Sequence, residues 1–117
     1  MTKQELLQQL IDAPEQVEFD TVISVIEANY DYQPATFING DTTNEAGSNE
    51  GSCKIFAFAQ LNNLDQATTL ACFGRYYRED VLQNPDADDH ANIRNFMQSG
   101  WDGVRFESTA LTEQSPA

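Results

Sequence analysis

The sequence predicts an α+β fold that is predominantly helical, with about five helices around a buried central helix and a small antiparallel sheet. Apolar residues recur at helical spacing in five segments, which predicts helices at 3–12, 21–30, 53–63, 66–82 and 89–99. Asn39-Gly40 is a strong hairpin signal between two short stretches, 35–38 and 42–45. A strand within 103–111 would lie beside this hairpin. At 117 residues we expect one domain, over 1–107, and a loosely ordered tail over 108–117.

The first two helices have recognisable ends. Thr2 and Glu5 fit a capping box for helix 3–12, and Pro14 stops that helix. Asp20 is the expected N-cap of helix 21–30, and Pro34 forces extended chain just before it. The β-branched residues of this second segment would suit a strand, but their spacing favours a helix.

The segment CKIFAFAQL, residues 53–61, is apolar nearly all round except for Lys54, which predicts a position deep in the core. A buried strand is the alternative, but the length favours a helix capped by Ser52. Asp65 caps the next predicted helix, and Pro85 follows its end. Asp88 or Asp89 caps the last helix, and Gly100 ends it in a left-handed conformation.

The charge of the chain restricts its partners. Nineteen Asp and Glu against six Lys and Arg give a formal net charge of −13, which repels nucleic acid and anionic membranes and leaves cationic or neutral partners open. The two cysteines form no CxxC pair, so a reducing compartment is expected. Because no apolar run approaches a membrane span and no signal peptide begins the sequence, we expect a cytoplasmic protein, monomeric by default.

A cysteine-dependent hydrolase is one hypothesis for the chemistry. Cys53 is predicted at the first turn of a helix, where exposed amides lower a thiol's pKa. The chain's one histidine, His90, would be the base, and Asp86, Asp88 or Asp89 would orient its ring. The alternative is that Cys53 is a buried helix-start residue and His90 a surface or capping one.

An anion site is the second hypothesis, because all four arginines fall within 31 residues. Arg75 and Arg78 share one predicted helix, and with Arg94 they could clamp a carboxylate or phosphate. In so acidic a chain the arginines are also expected to pair with its own carboxylates.

Aromatic and amide side chains supply further candidates for binding. Trp101 could bind a ligand or close the core over a helix end, and Tyr77, beside Tyr76, could share an exposed face with it. Asn39, Asn44 and Asn49 could form a polar pocket wall or simply serve turns. No phosphate-loop or dinucleotide fingerprint is present, so no cofactor is expected.

No metal is expected either. One histidine and no cysteine pair exclude the usual zinc spacings. A calcium loop counted from Asp86 would need glycine and glutamate where Ala91 and Met97 stand.

Four blocks together resemble the HopJ (HopPmaJ) type III effector family over residues 3–107. They are FING at 37–40, NEAGSNEGSCKIFAFAQL at 44–61, TLACFGRYYREDVL at 69–82 and DHANIRNFMQSGWDGVRF at 89–106. One departure is Ala87, near which a glycine is expected. The resemblance implies a bacterial protein delivered into a host cell, but it does not indicate what the molecular activity of that protein is.

A non-enzymatic binding domain for a protein or small molecule is therefore the first hypothesis for function. The anion site and the hydrolase are its alternatives. Because a capped helix is predicted from residue 3, where an export signal would lie, we expect this member to reside in the cytoplasm.

Overall fold

The computed structural model describes residues 1–114 and confirms a predominantly helical α+β fold. The helices are α1 Lys3–Asp12, α2 Phe19–Asn29, α3 Glu50–Leu61, α4 Gln66–Ala71 and α5 Ala91–Ser99, with 3₁₀ turns at Pro14–Gln16 and Gly100–Gly103 and a π-helix at Tyr76–Val81. The strands are β1 Tyr30–Tyr32, β2 Phe37–Asn39, β3 Thr42–Asn44, β4 Val104–Phe106 and β5 Leu111–Glu113.

The start of α1 is the predicted capping box. The Thr2 hydroxyl accepts from the Glu5 amide at 3.1 Å, and the Glu5 carboxylate accepts from the Thr2 amide at 2.9 Å. The hydrogen bond that the Glu5 carboxylate accepts from the Thr2 amide, followed by its interaction with the Thr2 side chain, lowers the pKa of Glu5. α1 buries Leu6 and Leu10 and so turns one apolar face to the core.

The start of α2 differs from the prediction. The helix begins at Phe19 and its N-cap, Glu18, makes no side-chain capping bond, so Asp20 lies in the first turn instead of capping it. Packing fixes this start, because the Phe19 ring meets the Tyr76 ring edge-on at 5.1 Å. α2 runs directly into β1, a strand that the sequence did not predict.

The predicted central helix is confirmed as α3, which is buried over most of its length. Its N-cap is Asn49 in the left-handed conformation (φ 51°), so Ser52 is not the cap and lies in the first turn. Phe56 packs against four aromatic rings at centroid distances of 5.0–6.2 Å: Phe37, Phe73, Phe96 and Trp101. The core is therefore assembled around α3.

The single helix predicted over 66–82 is wrong. α4 ends at Ala71, and Gly74 (φ +60°) turns the chain before the π-helix begins. A Cβ at Gly74 would lie 2.7 Å from the Phe19 backbone nitrogen, so only glycine permits this approach. The predicted cap is present, since Asp65 accepts from the Thr68 amide at 2.8 Å.

The last helix begins two residues later than predicted. His90, in the left-handed conformation (φ 52°), is its N-cap, and neither Asp88 nor Asp89 holds that position. Gly100 (φ 60°) ends the helix, as predicted.

The predicted hairpin is confirmed, and it has β4 as a third strand. β2 pairs antiparallel with β3, Phe37 opposite Asn44, and with β4, Phe37 opposite Phe106. The C-terminal strand is shorter than the predicted 103–111.

A second sheet joins β1 to β5, with Tyr30 opposite Glu113. The predicted loose tail is therefore wrong for Leu111–Glu113, because pairing with β1 orders that segment. Residues 115–117 of the predicted tail lie outside the described residues.

Candidate functional site

A cavity of about 430 Å³ opens where the first turns of α3 and α5 come together. This volume lies in the range of small-molecule sites, about 300–1,000 Å³. Twelve residues line it, and none is an aspartate or glutamate: Phe19, Thr42, Asn44, Asn49, Gly51, Ser52, Phe73, Tyr76, His90, Ala91, Asn92 and Ile93. A chain of net charge −13 thus keeps carboxylates out of this wall.

His90 is held at the cavity wall by three neighbouring side chains. Its Nε2 lies 3.0 Å from Asp80 Oδ2 and 3.9 Å from Asp89 Oδ2, and its ring packs on Tyr76 at 5.3 Å. The π-helix supplies both Tyr76 and Asp80, so this rare local geometry places two partners around one imidazole. Asp80, rather than the predicted Asp89, is the closer carboxylate, and Asp89 is engaged with Arg94.

A network of asparagines forms the floor behind His90. Asn92 Oδ1 accepts from Asn39 Nδ2 at 3.0 Å and from Asn44 Nδ2 at 3.1 Å, and Asn92 Nδ2 donates to Asn44 Oδ1 at 2.9 Å. Asn49 Nδ2 also donates to Asn44 Oδ1, at 2.7 Å. Asn44 and Asn49 line the cavity, whereas Asn39 is buried behind it. Because the network joins β2, β3, α3 and α5, it fixes the relative position of the cavity's walls.

The helix starts add backbone donors to this wall. Asn49 and His90 give no side-chain capping bond, and the first amides bonded back to them are those of Cys53 and Ile93. The earlier amides of each first turn have no partner within their own helix. Both helix starts also carry partial positive charge, which favours ligand acceptor atoms here.

Phe19, Phe73 and Tyr76 supply the apolar side of the cavity. A Cβ at Gly51 would lie 2.9 Å from Phe19 Cζ, so the glycine lets the aromatic ring approach α3. The site therefore combines flat apolar surface with donors and acceptors, as small-molecule sites do.

Cys53 does not line this cavity. Its side chain is 1% exposed and its Sγ lies 3.7 Å from the Ala35 carbonyl, with Tyr32 and Glu50 nearby. Burial raises the pKa of the Cys53 thiol, which is the opposite of the expected activation. The predicted pairing of Cys53 with His90 is absent among the described hydrogen bonds, since the imidazole is directed to Asp80.

The arginines do not converge on one ligand. Arg78 Nη1 donates to the carbonyls of Val17 at 2.9 Å and Pro14 at 3.3 Å, which ties the π-helix to the 3₁₀ turn. Arg94 Nη2 lies 2.7 Å from Asp89 Oδ1. Arg75 is exposed, in a small pocket that Glu18 and Asp20 also line. The predicted three-arginine clamp is therefore not assembled.

Trp101 closes the core over a helix end. Its Nε1 donates to the Leu64 carbonyl at 2.9 Å, and its ring meets Phe56 and Phe96 edge-on. Tyr77 is partly buried against the same core. Neither ring lines the cavity, whereas Tyr76 does.

Residues 1–114 contain neither a candidate metal centre nor a candidate membrane-spanning helix. Within them no group of three His, Cys, Asp or Glu side chains is placed to hold a metal ion. None of their helices has the length and apolar character needed to cross a membrane.

Comparisons with known proteins find one family and one solved structure. The family described as HopJ type III effector protein matches residues 3–111. A crystal structure titled as that of "unknown function protein VPA0580" is 58% identical, with a TM-score of 0.96, and the alignment covers 97% of this chain and 95% of that one. No curated protein matches the chain.

Proposed function

This chain belongs to the HopJ type III effector protein family, and from that premise we propose that it is a non-enzymatic binding domain for a small polar molecule. The ligand lies in the cavity between the first turns of α3 and α5. The observation that carries the proposal is the His90 imidazole, which Asp80 and Tyr76 hold at the wall of a cavity free of carboxylates.

The lining indicates the kind of ligand. Phe19 and Tyr76 favour a flat apolar part, and the first-turn amides, the Ser52 hydroxyl and His90 favour a group that accepts hydrogen bonds. Left-handed backbone at non-glycine residues such as Asn49 and His90 is strained and concentrates at functional sites. Aromatic amides and aromatic acids satisfy both requirements.

Binding without catalysis fits the position of the thiol. Cys53 lies buried beside Ala35 and has a raised pKa, so the nucleophile that a cysteine hydrolase needs is neither exposed nor activated.

The test uses His90 as a reporter. Because the chain has one histidine, its imidazole gives a single set of ring resonances. We expect members of a fragment set of aromatic amides and acids to shift these signals together with the amides of Gly51, Ser52 and Ala91.

A filling variant separates the cavity from other surfaces. Ala91→Trp places an indole at the exposed start of α5 and should abolish these shifts. Ala28→Trp, at an exposed position of α2 that does not line the cavity, should preserve them. Fragments that shift only other surfaces, or that still bind the Ala91→Trp protein, would refute the proposal.

The family description also names a type III effector, which places its members in a host cell after secretion. Residence in the bacterial cytoplasm is our proposal for this chain, with delivery into a host cell as the alternative. Export of the full chain fused to a reporter, compared between cells with and without a type III apparatus, decides between them.

A further inference from the structure

A second concave site lies on the other side of α5 and shares no lining residue with the cavity. It is a groove of about 270 Å³ between the end of the π-helix and α5, lined by Val81, Leu82, Pro85, Ala87, Arg94, Met97 and Gln98. Leu82 is 48% exposed and Met97 is 36% exposed, so both present apolar surface to solvent. These are two of only five large hydrophobic residues exposed within residues 1–114, and they line the same groove.

The positive charge at this groove is already neutralised. Arg94 donates to Asp89 Oδ1 at 2.7 Å, to the Asp89 carbonyl at 2.6 Å and to the Pro85 carbonyl at 3.4 Å. Its side chain is only 15% exposed, so its aliphatic stem contributes apolar wall. A cation that approaches the groove therefore meets no unpaired guanidinium here.

Three acidic residues, Glu79, Asp86 and Asp88, are close neighbours of the lining residues along the chain, and they are called the acidic rim below. Asp86 and Asp88 alternate with the lining residues of the 85–88 turn, and Glu79 precedes Leu82 by one turn. All three carboxylates are exposed, and none belongs to an ion pair within the described part of the chain. The groove therefore has an apolar floor and an acidic rim.

We propose that this groove docks a segment of a partner protein that has leucine-like anchors flanked by lysine or arginine. A volume of about 270 Å³ has room for the anchoring side chains of a partner segment. The net charge of −13 steers a basic segment toward the rim and repels a second copy of the chain or an anionic membrane. Met97 adapts its shape to an apolar anchor.

The experiment titrates the ¹⁵N-labelled full chain with an end-blocked octapeptide that has two central leucines between pairs of lysines. We expect the amides of Leu82, Ala87, Met97 and Gln98 to shift, and binding to weaken as salt rises. A peptide with serines in place of the leucines should bind at least about fivefold more weakly. A peptide with glutamates in place of the lysines should not bind.

Matched variants of the protein locate the site. Leu82→Ser should weaken binding about fivefold, whereas Ile11→Ser removes an even more exposed apolar residue on α1 and should leave binding unchanged. Trp101 fluorescence checks that both variants are folded. Absence of binding, equal binding of the serine peptide, or an unchanged affinity of Leu82→Ser would overturn the proposal.

Discussion

Replacing Asn92 with alanine tests whether the asparagine network holds the cavity together. The Asn92 side chain accepts from Asn39 and Asn44 and donates to Asn44, at 2.9–3.1 Å. At roughly 1 kcal/mol for each hydrogen bond, Asn92→Ala should lower the free energy of unfolding by about 3 kcal/mol. For a chain of this length that corresponds to a fall of roughly 10 °C in Tm.

Urea unfolding followed by the fluorescence of Trp101, the only tryptophan, measures this loss. Asn95→Ala is the matched control on the same helix. Asn95 is only partly buried and donates two hydrogen bonds, to Asn39 O and Thr42 Oγ1, so its removal should cost at most about 2 kcal/mol. If Asn92→Ala loses no more stability than Asn95→Ala, the network is not what positions α5 against the hairpin.

Three further outcomes follow from the structure. Gly74→Ala should destabilise the protein by more than about 2 kcal/mol in urea unfolding, because it adds a clash with the Phe19 backbone to the strain of a left-handed alanine. Gly47→Ala, in open space, should cost about 1 kcal/mol. Equal losses would contradict the close approach of Gly74 to Phe19. A disulfide reagent at pH 8 should leave both thiols of the native protein unmodified, because Cys53 and Cys72 are buried and burial raises the pKa of Cys72 to about 12. Rapid modification of Cys53 would restore the hypothesis of a cysteine-dependent hydrolase. Hydrogen bonds with the Thr68 side chain and backbone lower the pKa of Asp65 in the folded protein. The ionised carboxylate therefore stabilises the fold at pH values above the unfolded-state pKa, near 3.8, and this stabilisation disappears as the pH falls through the folded-state pKa. Asp65→Asn keeps the cap but not the titration, so unfolding curves of the two proteins should diverge in pH dependence only below about pH 4, and parallel curves there would exclude this role.

The helical spacing of apolar residues was enough to predict most of the helices. α1, α2, α3 and α5 were found because each has several apolar residues on one face. The hairpin was found from Asn39-Gly40, where Gly40 has φ +65°. The three-residue strands β1 and β5 were missed because so short a segment shows no alternation, and only pairing across the fold creates them.

Helix ends were harder to predict. The apolar stripe over 66–82 continues past Gly74, so it hid a break that depends on contact with Phe19. Left-handed caps at Asn49 and His90 also escaped prediction, because side-chain capping is the commoner signal.

A minority of the cavity's lining residues could be predicted from residue type. Asn44, Asn49 and His90 were candidates because polar side chains in loops can line a pocket and because His90 is the only histidine in the sequence. Asn92 and Asp80 were not, since Asn92 lay inside a predicted helix and Asp80 reaches the imidazole only through the π-helix. That local geometry depends on the turn at Gly74 and has no signature in the sequence.

The β1–β5 pairing also has a consequence for biosynthesis. Tyr30 is synthesised roughly eighty residues before its partner Glu113. At ordinary translation rates β1 therefore has no partner strand for roughly 4–16 s. During that interval the nascent chain presents an unpaired strand edge next to a largely apolar helix, a combination that attracts chaperones and proteases. Pairing of β1 with β5 is therefore expected to be a late step in the folding of this domain.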